Sequence, residues 1–179
     1  MEWRLPEPML AKAVEDLPTG PFAYEAKWDG FRAIVSRNPS GAVEIRSRQG
    51  TLLNAGFPEI TAGARDLPPV ILDGELVIWH DGRLAFERLL RRLTRRPASV
   101  AAEVNSTPAH YVAFDLLSVD VGDGDVARLP YRDRRARLEK LFADQGLMPP
   151  WTLCPMTLDR DEALSWMREW APAGIEGIL

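Results

Sequence analysis

The sequence predicts an α+β domain in which helices flank mainly antiparallel sheets. Short strand-like runs separated by turn residues open the chain, from EAKWDGFRAIV onward. Later, LAFERLLRRLTRR and RDRRARLEKLF repeat apolar residues at helical spacing. There is no internal repeat and no low-complexity linker, and 179 residues, 46% of them hydrophobic, suit one domain with a sizeable core.

Phe22 to Lys27 alternates as a strand, which sends Glu25 and Lys27 to one face and Tyr24 and Ala26 to the other. Asp29-Gly30 is a strong turn signal, so FRAIVSR is expected to return beside the first strand. GAVEIRSR then adds a third strand to an antiparallel meander after Pro39-Ser40-Gly41. Pro69 to Trp79 reads as one apolar strand or a bent pair, with Asp73 and Glu75 on a common face if the strand continues.

In LAFERLLRRLTRR, Phe86, Leu89, Leu90 and Leu93 form an apolar stripe, while Arg88, Arg91, Arg92 and Arg95 line another. A polar loop near Asn105 leads into a strand, HYVAFDLLSV, and VGDGD follows as a Gly/Asp loop. Pro130 opens the helix RDRRARLEKLF, and a last helix spans about Asp159 to Trp170. Pro172 and Gly174 break the chain before IEGIL begins a strand.

The single cysteine, Cys154, has no internal disulfide partner. His80 and His110 have no cysteine or carboxylate at metal-ligand spacing, so a structural zinc site is not expected. A net charge of -4 argues against a wholly basic nucleic-acid binder but leaves room for a local grip on phosphate. The N-terminus MEWRLPEPML lacks a basic region followed by an apolar core. No apolar run approaches the roughly 18 residues that span a membrane. A cytoplasmic protein with no membrane partner is expected.

Lys27, Asp29, Gly30 and Arg32 form a compact pattern at a strand-to-turn position. A lysine amine with an ordinary pKa near ~10.4 is a poor nucleophile at neutral pH, so one that does chemistry needs burial or a neighbouring cation. Arg32 supplies such a neighbour. The plain alternative is a solvated lysine beside a hairpin turn.

Four further segments follow that pattern: RSRQG at 46–50, LDGELV at 72–77, AFDLL at 113–117 and EGIL at 176–179. In this order, with KWDGFR at 27–32, they resemble the motifs of the covalent nucleotidyltransferases: ATP-dependent DNA ligases, RNA ligases and mRNA capping enzymes. The spacers LAFERLLRRL and LPYRDRRARLEKL are similar to those of ATP-dependent DNA ligases, especially the bacterial type. The resemblance covers nearly the whole chain and implies the nucleotidyltransferase fold of a ligase adenylation domain, ATP-grasp-like in its architecture.

It also implies a reaction. Lys27 would attack the α-phosphorus of ATP to give lysyl-AMP and pyrophosphate. AMP would pass to a 5′-phosphate in nicked double-stranded DNA, and the 3′-hydroxyl would seal the nick during repair or recombination. By the same resemblance Arg32 and Arg48 would contact the ribose or phosphates, where a guanidinium fork fits oxygen pairs. Glu25 and Glu75 would face the nucleotide and Phe114 would stack on adenine. Glu75 and Glu176 would hold Mg²⁺. Asp29 joins the site with a mainly structural part, shaping the turn with Gly30, as Asp73-Gly74 does for Glu75.

Each has a plainer reading. Phe114 alone would be core packing, Glu176 a solvated terminal carboxylate, and Arg32 and Arg48 surface ion pairs. The stripe of Arg88, Arg91, Arg92 and Arg95 and the cluster of Arg132, Arg134, Arg135 and Arg137 read as solvated helix faces rather than DNA contacts.

Members of the family continue past the EGIL motif with a phosphate-binding lysine motif, and ligases then add an oligonucleotide-binding (OB-fold) barrel. Residues 1–179 end before both. The expectations are weak or absent self-adenylation, an unpaired sheet edge at the last strand, and a barrel or repair proteins supplied separately or missing. A non-catalytic nucleotide-binding fragment and an RNA ligase are the alternatives.

Overall fold

The computed structural model describes residues 9–119 and 126–179; the VGDGD segment lies outside them. Nine strands form two sheets among these residues. The larger has the order β3-β2-β4-β6-β7, built from β2 (Phe31–Arg37), β3 (Val43–Ser47), β4 (Val70–His80), β6 (Ala109–Val119) and β7 (Trp151–Leu153), with β5 (Arg83–Leu84) beside β4. All of its pairings are antiparallel except β6 with β7. The smaller has the order β8-β1-β9, with β1 (Tyr24–Trp28) between β8 (Met156–Thr157) and β9 (Ile175–Ile178).

This division corrects the expected meander. β1 and β2 flank Asp29-Gly30 in sequence, yet they pair in different sheets and form no hairpin. Gly30 is where the chain crosses over. A Cβ built there would meet Glu75 Cγ at 2.4 Å and the Leu76 carbonyl oxygen at 2.6 Å, so only glycine fits so tightly against β4. Beyond the crossing, β2 to β3 is the hairpin expected from the Pro39-Ser40-Gly41 turn.

Helices α1 (Pro58–Ala64), α2 (Phe86–Thr94) and α4 (Tyr131–Asp144) cover one face of the large sheet. The main core lies there, with Val35, Ile45, Leu72, Leu76, Ile78 and Tyr111 of the strands against Ile60, Leu89 and Leu138 of the helices. Helix α5 (Arg160–Glu169) packs Trp166 onto Ala26 and Ile175 of the small sheet. Its N-terminus is capped by Asp159, whose side chain accepts from the Asp161 and Glu162 amides, the start the sequence predicts. A third cluster, Val77, Leu84, Val112 and Cys154 with Trp28 and Phe114 packed on it, fills the seam between the two sheets.

Where a polar loop is expected near Asn105, the chain forms α3 (Pro97–Ser106), opened by a proline in its first turn. The arginine faces also need correction. Arg92 is buried, donating to Glu59 Oε1 at 2.5 Å and to the Thr107 carbonyl, whereas Leu90 of the expected apolar stripe is exposed. Arg134 and Arg135 are buried as well. Arg91, Arg95 and Arg132 do lie on exposed faces. No described helix is long and apolar enough to cross a membrane.

Candidate active site

The site lies on the seam. β1 alternates as its sequence predicts: Tyr24 and Ala26 are buried, while Glu25 and Lys27 leave the other face half-buried. β9 pairs with β1 through Ala26–Ile178, Lys27–Gly177 and Trp28–Ile175, so Glu176 is the extra residue of a β-bulge. The bulge turns Glu176 toward Lys27, and the two side chains form an ion pair with nearly half of each exposed.

A second bulge presents Phe114. Asp73 pairs with Asp115 and Gly74 with Ala113, leaving Phe114 unmatched on β6, as a separate shift nearer the strand end leaves Leu117. Gly74 permits the close approach, since a Cβ there would meet the Val112 carbonyl oxygen at 2.5 Å and the Tyr111 ring at 2.6 Å. The Arg32 guanidinium lies over the Phe114 ring at 5.3 Å, forks Asp73 at 3.1 and 2.7 Å, and donates to the Met9 carbonyl.

Glu75 is paired with Arg32 across β4 and β2. Burial pushes its carboxyl up from 4.5 to about 7, with Lys27 and Arg32 opposing and Asp73 and Glu176 adding to the rise. Asp29 is raised chiefly by burial, then by Glu176, with Lys27 opposing. Lys27, Arg32, Asp29, Glu75 and Glu176 therefore share one electrostatic neighbourhood. Glu25 sits apart from Lys27, accepting from the Tyr131 hydroxyl at 2.7 Å and from Arg135 Nη1 at 3.1 Å. Arg48 is exposed in the tight turn after β3, which the Ser47 hydroxyl holds by accepting from the Gln49 and Thr51 amides.

Among the described residues no three His, Cys, Asp or Glu side chains converge as a ready-made metal cage. Magnesium does not need one. It keeps several waters and binds through one or two carboxylates plus substrate phosphate, and Glu75 and Glu176 are hard oxygen donors within each other's field. The donor set fits that ion.

The family model for the ATP dependent DNA ligase domain matches residues 8–179. The chain belongs to the ATP-dependent DNA ligase domain family. It is 41% identical over 174 residues to DNA ligase C2 of Mycolicibacterium smegmatis, covering 96% of this chain and 48% of that protein. It is 37% identical over 176 residues to DNA ligase C of Mycobacterium tuberculosis, with the same shares covered. The chain thus spans about half the length of these curated relatives. A solved structure of mycobacterial DNA ligase D complexed with ATP and MES superposes with a TM-score of 0.67 at 31% identity, covering 87% of this chain and 46% of that one. The nucleotidyltransferase fold expected of a ligase domain is the fold found.

Within this ligase domain, Asp115, Tyr131, Arg134 and Arg135 reach the site's supports without having been predicted to. The spacing carried a signal: Arg134, Leu138 and Leu141 follow one another at i, i+4 and i+7, so the buried leucine stripe of α4 runs back onto an arginine. Arg92 follows the buried Leu89 at i+3 in the same way.

Proposed function

We propose that this chain carries the nucleotide-charging chemistry of an ATP-dependent DNA ligase. Lys27 Nζ, once it has shed a proton, attacks the α-phosphorus of ATP. The N–P bond forms as the bond from that phosphorus to the pyrophosphate oxygen breaks, leaving AMP on the lysine. AMP then passes to the 5′-phosphate of nicked double-stranded DNA, and attack by the 3′-hydroxyl seals the strand and releases AMP. In the longer ligase relatives the remaining half of the protein is available for that later work.

The reading rests on one observation: the bulge in β9 that aims Glu176 at Lys27, beside Asp29 and Glu75, on the seam between two sheets. Arg48 would meet the ribose or phosphates with its exposed guanidinium, and Arg32, whose fork already holds Asp73, would reach them through Nη1. Phe114 would stack on the adenine, with Arg32 already poised over the ring. Glu75 and Glu176 would hold Mg²⁺, which supplies charge neutralisation at the phosphates. The ion pair with Glu176 keeps Lys27 in place but masks the amine, so that carboxylate must be drawn off before attack.

The deciding experiment is an intact-mass spectrum after incubation with ATP and Mg²⁺, beside the Lys27→Ala variant. A partial gain of one AMP, absent in the variant, is expected, in keeping with weak self-adenylation. A folded wild-type chain that gains no mass overturns self-charging by this chain.

A further inference from the structure

Helix α4 carries two adjacent arginines into the interior, and each ends on a carboxylate of a different sheet. Arg134 forks Asp115 on β6, Nε to Oδ1 at 2.8 Å and Nη2 to Oδ2 at 2.9 Å. Arg135 reaches β1. Its Nη1 donates to Glu25 Oε1 at 3.1 Å and to the Cys154 carbonyl at 2.9 Å, and its Nε to Glu139 at 2.7 Å. Tyr131, one turn earlier, donates its hydroxyl to the same Glu25 Oε1 at 2.7 Å.

One oxygen of Glu25 is therefore used twice, and Oε2 takes no hydrogen bond from a described residue. The side chain is not sealed either, since 12% of it stays accessible. Burial pushes this carboxyl up, while the Tyr131 hydroxyl and the Arg135 charge favour its ionised form. Glu25 leaves β1 on the face that carries Lys27, two residues away. An anion there repels phosphate, so the nucleotide can offer it only the nucleoside. An ionised carboxylate accepts and never donates, so what it takes is a donor: an amine of the base or a ribose hydroxyl.

We propose that Tyr131 and Arg135 are positioning residues of the nucleotide site, which grip one oxygen of Glu25 and so aim the other at a donor on the bound nucleoside. The inference rests on the nucleotide reading above. A carboxylate free to rotate would satisfy itself on Arg135 with both oxygens and present neither. The two-point hold on Oε1 prevents that, and it makes recognition depend on a helix that does not itself touch the ligand.

The test titrates AMP, inosine monophosphate, 2′-deoxy-AMP and 3′-deoxy-AMP against the wild type, Tyr131→Phe and Arg135→Lys, with melting temperatures measured alongside. The wild type should prefer AMP by about tenfold over the one analogue that lacks the recognised donor, the range of a hydrogen bond to a charged group. Tyr131→Phe removes a single oxygen and should cut that preference to about threefold or less, leaving affinity for the analogue nearly unchanged. Whichever analogue discriminates names the donor, and any of the three supports the proposal. A preference that survives in both variants while all affinities fall together, or falls only with melting temperature, overturns it. So does a wild type that shows no preference. A wild type that binds no nucleotide overturns the nucleotide reading as well.

Discussion

Asp73 on β4 and Asp115 on β6 are direct cross-strand partners, two buried carboxylates opposite one another in the middle of the large sheet. Like charges in that relation destabilise a sheet, and here each has its own arginine: Arg32 from β2 for Asp73 and Arg134 from α4 for Asp115. The site strand is thus framed by two buried ion pairs that share a border.

Removing one arginine strands its carboxylate. Arg134→Met is expected to lower the unfolding free energy by about 3–5 kcal/mol, because an unpaired buried charge costs more than the pair contributes. Adding Asp115→Leu should recover most of the loss. Urea denaturation of the single and double variants measures both steps, and equal losses in the two would refute the account.

The two crowded glycines should behave unlike a glycine in open space. Gly30→Ala and Gly74→Ala drive a Cβ to 2.6 and 2.5 Å from backbone carbonyl oxygens, and each should cost about 1–3 kcal/mol. Gly177→Ala on β9 meets nothing within 4 Å and should stay within about 0.5 kcal/mol. Melting temperatures rank the three.

Glu75 gives a pH signature in metal-free buffer. Its folded carboxyl titrates at about 7 against 4.5 unfolded, so the folded state holds a proton that the unfolded chain has released. That proton favours folding fully below pH 4.5, and the benefit fades as pH rises through 7. The difference corresponds to roughly 3 kcal/mol. Glu75→Gln should therefore gain stability over the wild type at pH 8 and show little gain at pH 4, read from denaturant midpoints at the two values.

Glu176 separates stability from chemistry. Its pair with Lys27 is half exposed, so Glu176→Gln should shift unfolding by less than about 1 kcal/mol. Loss of an ion-holding carboxylate should nonetheless slow AMP transfer onto Lys27 by about a hundredfold, the scale set by removing one charge-stabilising group. Time-resolved intact mass against a melting curve distinguishes the two effects.

Much of this was legible in the residues. The alternation of β1, the turn after β2, the long apolar strand β4 and the Asp159 start of α5 follow from period and capping alone. Three features did not. Asp29-Gly30 carries a hairpin signal, and tertiary crowding against Glu75 and Leu76 made it a crossing between sheets instead. PASVAAEVNS has Val100 as its buried anchor and no wide apolar stripe, so nothing in its pattern announced α3. Arg92, Arg134 and Arg135 read as solvated because charge was given more weight than spacing, and their partners Glu59, Asp115 and Glu25 lie 33, 19 and 110 residues away. The site residues were findable only as segments of recognised patterns, since both bulges depend on pairings between distant strands.

Those bulges carry one further consequence. Besides Leu117 near the end of β6, the ladders of β6 and β9 leave unmatched the two site residues Phe114 and Glu176. A change of side chain at either one alters what the pocket offers while every inter-strand register stays put. The working parts of the domain are in that sense interchangeable fittings on a fixed frame, and new chemistry could be tried at these two positions without asking the sheet to fold differently.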